Sequence, residues 1–264
     1  MSGMVTKEHF PELDPLRYKA YQFLSSLEIE PLIEDYTGVV SIDLANASGD
    51  EPISWYKQAK KIKRLIAASA DLKLQALGCI ILLESQLCEY ADIETEIETV
   101  FSALSGGHFE TTCSRVEDRA LACLHGLYLA HLCDREDEFP DCHRYLEAML
   151  VQRGFNHFSK KIHAHIFLYY FSRLISSFPY LSFQWKKELC LSLEERQLPG
   201  DTVDLSSTQI CRQLMDMKTD SINEIIGGRQ QGTGCIPYDG EIMVSGADVL
   251  TTAFAFTALN TKRL

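Results

Sequence analysis

The chain has 264 residues, 46% hydrophobic and 23% charged, which is the composition of a folded protein and not of a disordered or low-complexity segment. Its 25 Lys and Arg against 37 Asp and Glu give a formal net charge of −12, which argues against a nucleic-acid partner. The N-terminus lacks the pattern of a signal peptide, and the longest aliphatic run (77–83) is too short to span a bilayer. We therefore expect a cytoplasmic protein without a transmembrane segment.

The first 70 residues are irregular in pattern. LDPLRYKAYQFLSSL (13–27) predicts an inner helix, and residues 28–52 are interpreted as a longer connection after it. Two acidic segments, IEDY (33–36) and the later IETEIE (93–98), are interpreted as solvated surface faces. Nine scattered cysteines without a CxxC pair predict free thiols, mostly buried as small hydrophobic side chains.

From residue 71 onward the sequence repeats. Similar segments begin at intervals of 43 to 46 residues, at Asp71, Arg115, Lys161, Asp204 and Asp248. Each one opens on a charged residue and runs into a strongly apolar stretch, a pattern that predicts a buried helix entered through a polar cap. His125 lies within one such stretch and is interpreted as a hydrogen-bonded core histidine.

More amphipathic segments lie between these apolar stretches, at 97–104, 143–151, 185–193 and 221–226. One unit is thus an outer helix, a turn and an inner helix. We predict an all-α fold with a single domain over residues 1–264. Its expected architecture is an α/α toroid of five to six helical hairpins with about 44 residues each, and the competing architecture is an open α-solenoid.

The last two units resemble repeats of the terpene cyclase and protein prenyltransferase superfamily. In residues 222–259 an RQ segment ends the outer helix, a Gly-rich turn follows, and a DxxxTA motif starts the inner helix. Residues 185–215 repeat this scheme, with Arg196, Gly200 and Asp204 in the same places. The resemblance implies an α/α toroid and suggests a squalene-hopene cyclase-like enzyme, an isomerase or lyase acting on a hydrophobic substrate.

Class II terpene cyclases carry a DxDD motif whose middle Asp protonates an alkene or epoxide. Asp248 matches the first Asp, but Leu250 and Thr251 occupy the later positions. In the unit that begins at Arg115, Glu117 takes the position of the acid, and Asp118 follows it. The resemblance and this register together predict Glu117 as the acid that starts cyclisation of an isoprenoid or polyene chain, with Asp118 orienting it.

Other residues are predicted to complete the site. His163 has the same register in its unit as Glu117, so both should project from the same end of neighbouring inner helices. His165 lies only two positions later, so the two histidines should not face one metal. Residues expected to line an apolar central cavity are Tyr128, Phe167, Tyr169 and Phe254, together with Asp204 and Asp248 at helix starts.

Two alternatives stay open at the level of the sequence. Acidic residues in the first turn of a helix are favoured by the helix dipole, so Glu117 and Asp118 could be structural, and the chain could be a binding or scaffold protein for a partner protein. No metal or cofactor is predicted. If the substrate carried a diphosphate, Asp134 and Asp137 would be the candidate ligands for Mg²⁺, although Pro140 nearby favours a solvated loop.

Overall fold

The computed structural model describes residues 14–28, 31–47, 52–53, 59–153, 161–178, 183–196, 201–219, 221–238 and 245–260. These ranges contain helices and no strand, which confirms the all-α prediction. The helices are α1 (Pro15–Ser25), α2 (Tyr36–Asn46), α3 (Ala59–Ala68), α4 (Leu72–Glu84), α5 (Glu94–Leu104), α6 (Phe109–Thr112), α7 (Val116–Leu132), α8 (Pro140–Arg153), α9 (Lys161–Ser177), α10 (Phe183–Glu195), α11 (Thr202–Leu214), α12 (Asn223–Arg229) and α13 (Gly246–Ala258).

Six of these helices, which we call the inner helices, are buried on nearly all sides. They are α2, α4, α7, α9, α11 and α13. Their middle parts are mostly apolar or small around the circumference, as in the run from Leu77 to Leu82 of α4, where every residue is buried. A helix of this kind must be covered by protein on every face, because no face is polar enough to be solvated.

The contacts among the inner helices form a closed series. In this series α2 contacts α4, α4 contacts α7, α7 contacts α9, α9 contacts α11, α11 contacts α13, and α13 contacts α2 again. The return from α13 to α2 includes a hydrogen bond of 2.7 Å that Thr257 Oγ1 donates to the backbone oxygen of Leu44. The other long helices pack against this series: α3 and α5 on α4, α8 on α7, α10 on α9 and α11, and α1 on α13.

Helices α4, α11 and α13 begin at side-chain caps, as predicted, but α11 and α13 begin earlier than expected, and Arg115 before α7 makes no side-chain cap. Asp71 caps α4 by accepting from Lys73 N at 3.2 Å. The caps of α11 and α13 are Asp201 and Ser245, so Asp204 and Asp248 lie inside the first turn. The prediction that these helices open at Asp204 and Asp248 is therefore wrong by two to three residues.

The first unit also differs from the prediction. Helix α1 packs outside α13 and α12, and its Arg17 Nε donates to the backbone oxygen of Phe256 at 3.2 Å. The inner helix of this unit is α2, which lies in the segment interpreted as a connection. The interpretation of residues 33–36 as a surface face holds only for Glu34 and Asp35, which are exposed, because Ile33 and Tyr36 are buried. Asp35 also caps α2. In residues 93–98 the glutamates and Thr95 face solvent, whereas Ile93 and Ile97 are buried.

All nine cysteines are free thiols, and six of them are buried, which confirms the prediction for this residue type. Within the described ranges, no helix is both long enough and apolar enough to cross a membrane.

Candidate binding site at the ends of the inner helices

The first turns of neighbouring inner helices meet at one end of the molecule. Lys73 Nζ of α4 lies 3.1 Å from Asp118 Oδ1 of α7, and Glu117 Oε2 of α7 lies 3.3 Å from His163 Nδ1 of α9. The structure thus brings Glu117 and His163 together. Asp118 contacts a different neighbour, because adjacent residues of a helix point about 100° apart.

Glu117 is 8% exposed and His163 is 9% exposed, so their pair is almost enclosed. His165, two residues on, points to the other neighbour, where Ser207 Oγ lies 3.0 Å and Asp204 Oδ1 3.8 Å from its Nδ1. The prediction that the two histidines do not share a site is therefore confirmed.

The group formed by His165, Ser207 and Asp204 does not have the geometry of a catalytic triad. A triad needs the hydroxyl and the carboxylate on opposite nitrogens of the imidazole, whereas both of these groups face Nδ1. Nε2 is buried and has no hydrogen-bond partner among the described residues. Burial lowers the pKa of His165 to about 4, so the ring is neutral at pH 7.

Three of the residues predicted to bind substrate have structural partners. Asp248 accepts from Tyr238 N at 2.6 Å and from the backbone and side chain of Ser245. Asp204 accepts from Arg196 Nη1 at 2.9 Å, which ties α11 to the end of α10. Phe167 stacks on Phe171 at 5.7 Å, and Phe171 packs on Trp185 of α10, so this aromatic pair extends toward an outer helix.

Aromatic and imidazole side chains meet between the inner helices, in two cases between helices that are not neighbours in the series. Tyr36 Oη of α2 lies 2.8 Å from His125 Nε2 of α7, and the His125 ring packs edge-on against Tyr170 of α9 at 4.5 Å. Tyr169 of α9 contacts Phe254 of α13, with ring centroids 6.2 Å apart. His125 is fully buried, and burial lowers its pKa to about 3. Its interpretation as a hydrogen-bonded core histidine is confirmed.

Charged residues near the opposite end join α2, α4 and α9. Tyr170 Oη donates to Asp43 Oδ2 at 2.7 Å, and Arg173 Nη1 donates to the same oxygen at 3.0 Å. Arg173 Nη2 donates to Glu84 Oε2, and Tyr128 Oη donates to Glu84 Oε1 at 2.6 Å. The guanidinium also lies over the Tyr128 ring, 5.2 Å from its centroid.

A cavity of about 180 Å³ opens beside this cluster. It is lined by Asp43, Asn46, Ala47, Ile81, Glu84, Ser85 and Arg173. Burial raises the pKa of Glu84, and the charge of Arg173 beside it opposes that rise. Two carboxyl groups against one guanidinium leave a formal charge of −1, and the final carbonyls of α2 and α4 add negative potential at the same end.

The acidic loop after α7 does not gather its carboxylates. Asp134 and Asp137 are both exposed, and Arg135 between them binds Glu98 of α5 and Glu138. Among the residues that the structure describes, no group of three or more His, Cys, Asp or Glu side chains could hold a metal ion.

Sequence reasoning missed Asp43, Glu84 and Arg173. A signal for two of them exists, because each is a single charged residue inside or directly after an apolar run: Glu84 follows residues 77–83, and Arg173 interrupts the apolar part of α9. A charge at such a position must be buried or lie at the end of a buried helix, where it needs a partner of opposite sign. Which charges form a pair depends on contacts between helices, which the sequence alone does not give.

No protein-family model, curated protein or solved structure shows a significant match to this chain. The geometry of the two ends, and of the residues between them, therefore carries the functional proposal.

Proposed function

We propose that the chain folds as an α/α toroid in which the inner helices form a ring surrounded by the outer helices. The closed series of contacts from α2 through α13 and back to α2 supports this architecture, because an open solenoid has no contact between its first and last units. The interval of 43 to 46 residues between the repeated segments supports a recurring helical hairpin as its unit.

We further propose that the protein binds an organic cation, an ammonium or guanidinium group, in the cavity beside Asp43 and Glu84. The observation that carries this proposal is the cavity of about 180 Å³ at the ends of α2 and α4, with two carboxyl groups and one guanidinium in its wall. Each carboxylate oxygen can accept more than one hydrogen bond, so a ligand rich in N–H donors would add to the bonds that Tyr128, Tyr170 and Arg173 donate.

The size of the cavity limits the ligand to a few non-hydrogen atoms. Pockets that enclose drug-sized molecules span about 300 to 1,000 Å³, well above the volume found beside Asp43. A small free amine would fit, and so would the tip of a Lys or Arg side chain presented by a partner protein. Binding of a Lys or Arg side chain from a partner protein is consistent with a binding or scaffold protein, the alternative that the sequence left open.

Acid-initiated cyclisation of an isoprenoid stays a prediction, which the buried contact of Glu117 with His163 favours. The residues between the two ends weigh against it as the main function. Tyr170 of α9 reaches Asp43 of α2, and Tyr169 reaches Phe254 of α13, so side chains occupy space that a polyene would need. We therefore favour binding at the cavity over catalysis in a central chamber.

Calorimetric titration tests the proposed function. Methylguanidinium and ethylammonium are the small probes, a short Arg-containing peptide represents the partner source, and tetramethylammonium, which has no N–H donor, is the negative control. We expect binding of the donor-bearing cations and a loss of about tenfold or more in Glu84→Gln, since a hydrogen bond to a charged group contributes about 1.5–3 kcal/mol.

The matched control is Glu147→Gln, which removes a glutamate exposed on α8, outside the cavity. This variant should bind the probes like the wild type. Binding of the peptide but not of the free cations would assign the cavity to a partner protein. Equal affinity in wild type and Glu84→Gln, or no binding of any probe at millimolar concentration, would contradict the proposal.

A further inference from the structure

Two outer helices of opposite charge flank α4 on the surface. Helix α3 carries Lys60, Lys61, Lys63 and Arg64 within ten residues, although the whole chain is acidic. Helix α5 begins with Glu94, Glu96 and Glu98. Both helices pack on α4, and Lys63 Nζ donates to the backbone oxygen of Asp92 just before α5, so the two charged helices belong to one continuous surface.

The cationic face of α3 is available for a partner. Ile62 and Ile66 are the residues of α3 that are buried, and they hold it against the rest of the fold. Lys60 and Arg64 are one turn apart, so they lie on the same side of the helix, and both are exposed. Neither forms an ion pair with any residue that the structure describes.

The outward face of α5 forms a shallow groove. The groove has a volume of about 770 Å³ and is lined by Glu94, Thr95, Glu98, Thr99, Ser102, Ala103 and His108. Small side chains along one face of a helix let another helix approach closely. Glu98 is held by Arg135 and Tyr90, whereas Glu94 is exposed at the start of the groove and has no such partner among the described residues.

We propose that this surface joins two copies of the chain in a two-fold symmetric dimer, with α3 of each copy seated on the α5 groove of the other. A cationic helix and an acidic groove side by side are self-complementary under a two-fold rotation, because each copy then supplies one of each to its partner. Lys60 and Arg64 of one copy lie along the end of the groove that carries Glu94 of the other.

The occupant is a second copy and not a polyanion for reasons of charge. A nucleic acid would meet the cations of α3 but also the acidic α5 beside them and a chain of net charge −12. A second copy presents a cation wherever the first presents an acid. The net negative charges of the two copies repel each other. At 0.15 M salt this repulsion is screened beyond about 8 Å, so the attraction between the paired α3 and α5 helices dominates at the contact.

Sedimentation equilibrium in 0.15 M NaCl tests the dimer. The wild-type mass should rise with concentration from 29.9 kDa toward twice that value. Two variants reverse the charges one surface at a time: Lys60→Glu with Arg64→Glu on α3, and Glu94→Lys with Thr95→Lys on α5. All four positions are exposed, so both variants should keep the helical content of the wild type.

Each variant alone should dissociate at least tenfold more readily than the wild type, because like charges then face each other at both contacts of the dimer. An equimolar mixture of the two variants should regain the dimer, since acidic α3 meets cationic α5 at one contact and the unchanged, opposite pair forms the other. Monomeric wild type at all concentrations, variants that dimerise like the wild type, or a mixture that stays monomeric would overturn the proposal. Binding of an acidic peptide by monomeric wild type would also overturn it, in favour of a different partner.

Discussion

At the scale of single residues, two histidines inside the fold are held neutral by burial. Burial lowers the pKa of His125 to about 3 and that of His165 to about 4, against 6.5 for an unperturbed imidazole. Between these values and pH 6.5 the unfolded chain binds protons that the native state does not bind. The contribution of both histidines to stability is therefore present above pH 6.5 and is lost as the pH falls.

We expect the free energy of unfolding, measured by chemical denaturation, to decrease by about 2 kcal/mol per buried histidine between pH 6.5 and pH 5. His125→Gln and His165→Gln should each flatten this dependence, whereas His108→Gln, which changes an exposed residue, should leave it unchanged. Burial raises the pKa of Glu84, which acts in the opposite direction, and the single histidine variants separate the two effects. Histidine variants whose stability depends on pH like that of the wild type would contradict the burial of the two rings.

At the scale of helices, the packing of α3 on α4 depends on the lack of a side chain at Gly78. A Cβ atom at this position would lie 2.5 Å from Cγ1 and 2.8 Å from Cδ1 of Ile66. The two helices approach each other at this point, and the buried Ile66 fills the space that a larger residue at position 78 would take.

Gly78→Ala should therefore lower the free energy of unfolding by about 1–3 kcal/mol, as is typical of overpacking. In the interior of an unconstrained helix the same change would be stabilising by about 1 kcal/mol. Gly228→Ala in α12 is the matched control, because a Cβ there has no neighbour within 4 Å. A stability equal to or above that of the wild type in Gly78→Ala would show that α3 does not pack on α4 as described.

The helices from residue 71 onward could be predicted because their apolar runs and polar caps recur at a nearly constant interval. The inner helix of the first unit, α2, could not be predicted in this way. Its sequence, YTGVVSIDLAN, includes Gly38, Ser41 and Asp43, residue types that are common in connections, and no segment at the repeat interval marks its start. In the structure Gly38 N is bound by the cap Asp35, and Asp43 binds Arg173, so tertiary contacts decide the conformation.

The site was predictable only in part, for a related reason. Register along the repeat correctly placed Glu117 and His163 at the same end of neighbouring helices, because parallel helices of one repeat project equivalent residues at equivalent heights. The repeat register could not predict the contacts of Asp43 with Tyr170 and Arg173, because these contacts join α2 and α9, which are separated by two other helices in the series.

At the scale of the whole molecule, the inner helices form a closed series of contacts, and side chains occupy the space between them. The described ends of the chain lie together, since Gln230 of the last unit donates to the backbone oxygen of Leu16 and Arg17 donates to that of Phe256. Side chains of α9 reach α2 across the proposed ring through Asp43. The proposed cavity requires this contact, because Asp43 and Arg173 both line it.

A double-mutant cycle between Asp43 and Arg173 tests this contact most directly. The free energy of unfolding is measured for wild type, Asp43→Asn, Arg173→Gln and the double variant. Because each single change leaves a buried polar partner unsatisfied, we predict that the two effects are not additive and that the coupling energy is at least about 1 kcal/mol. Additivity within about 0.5 kcal/mol would mean that Asp43 and Arg173 do not interact, and would contradict the charged cluster between α2 and α9 on which the proposed cavity depends.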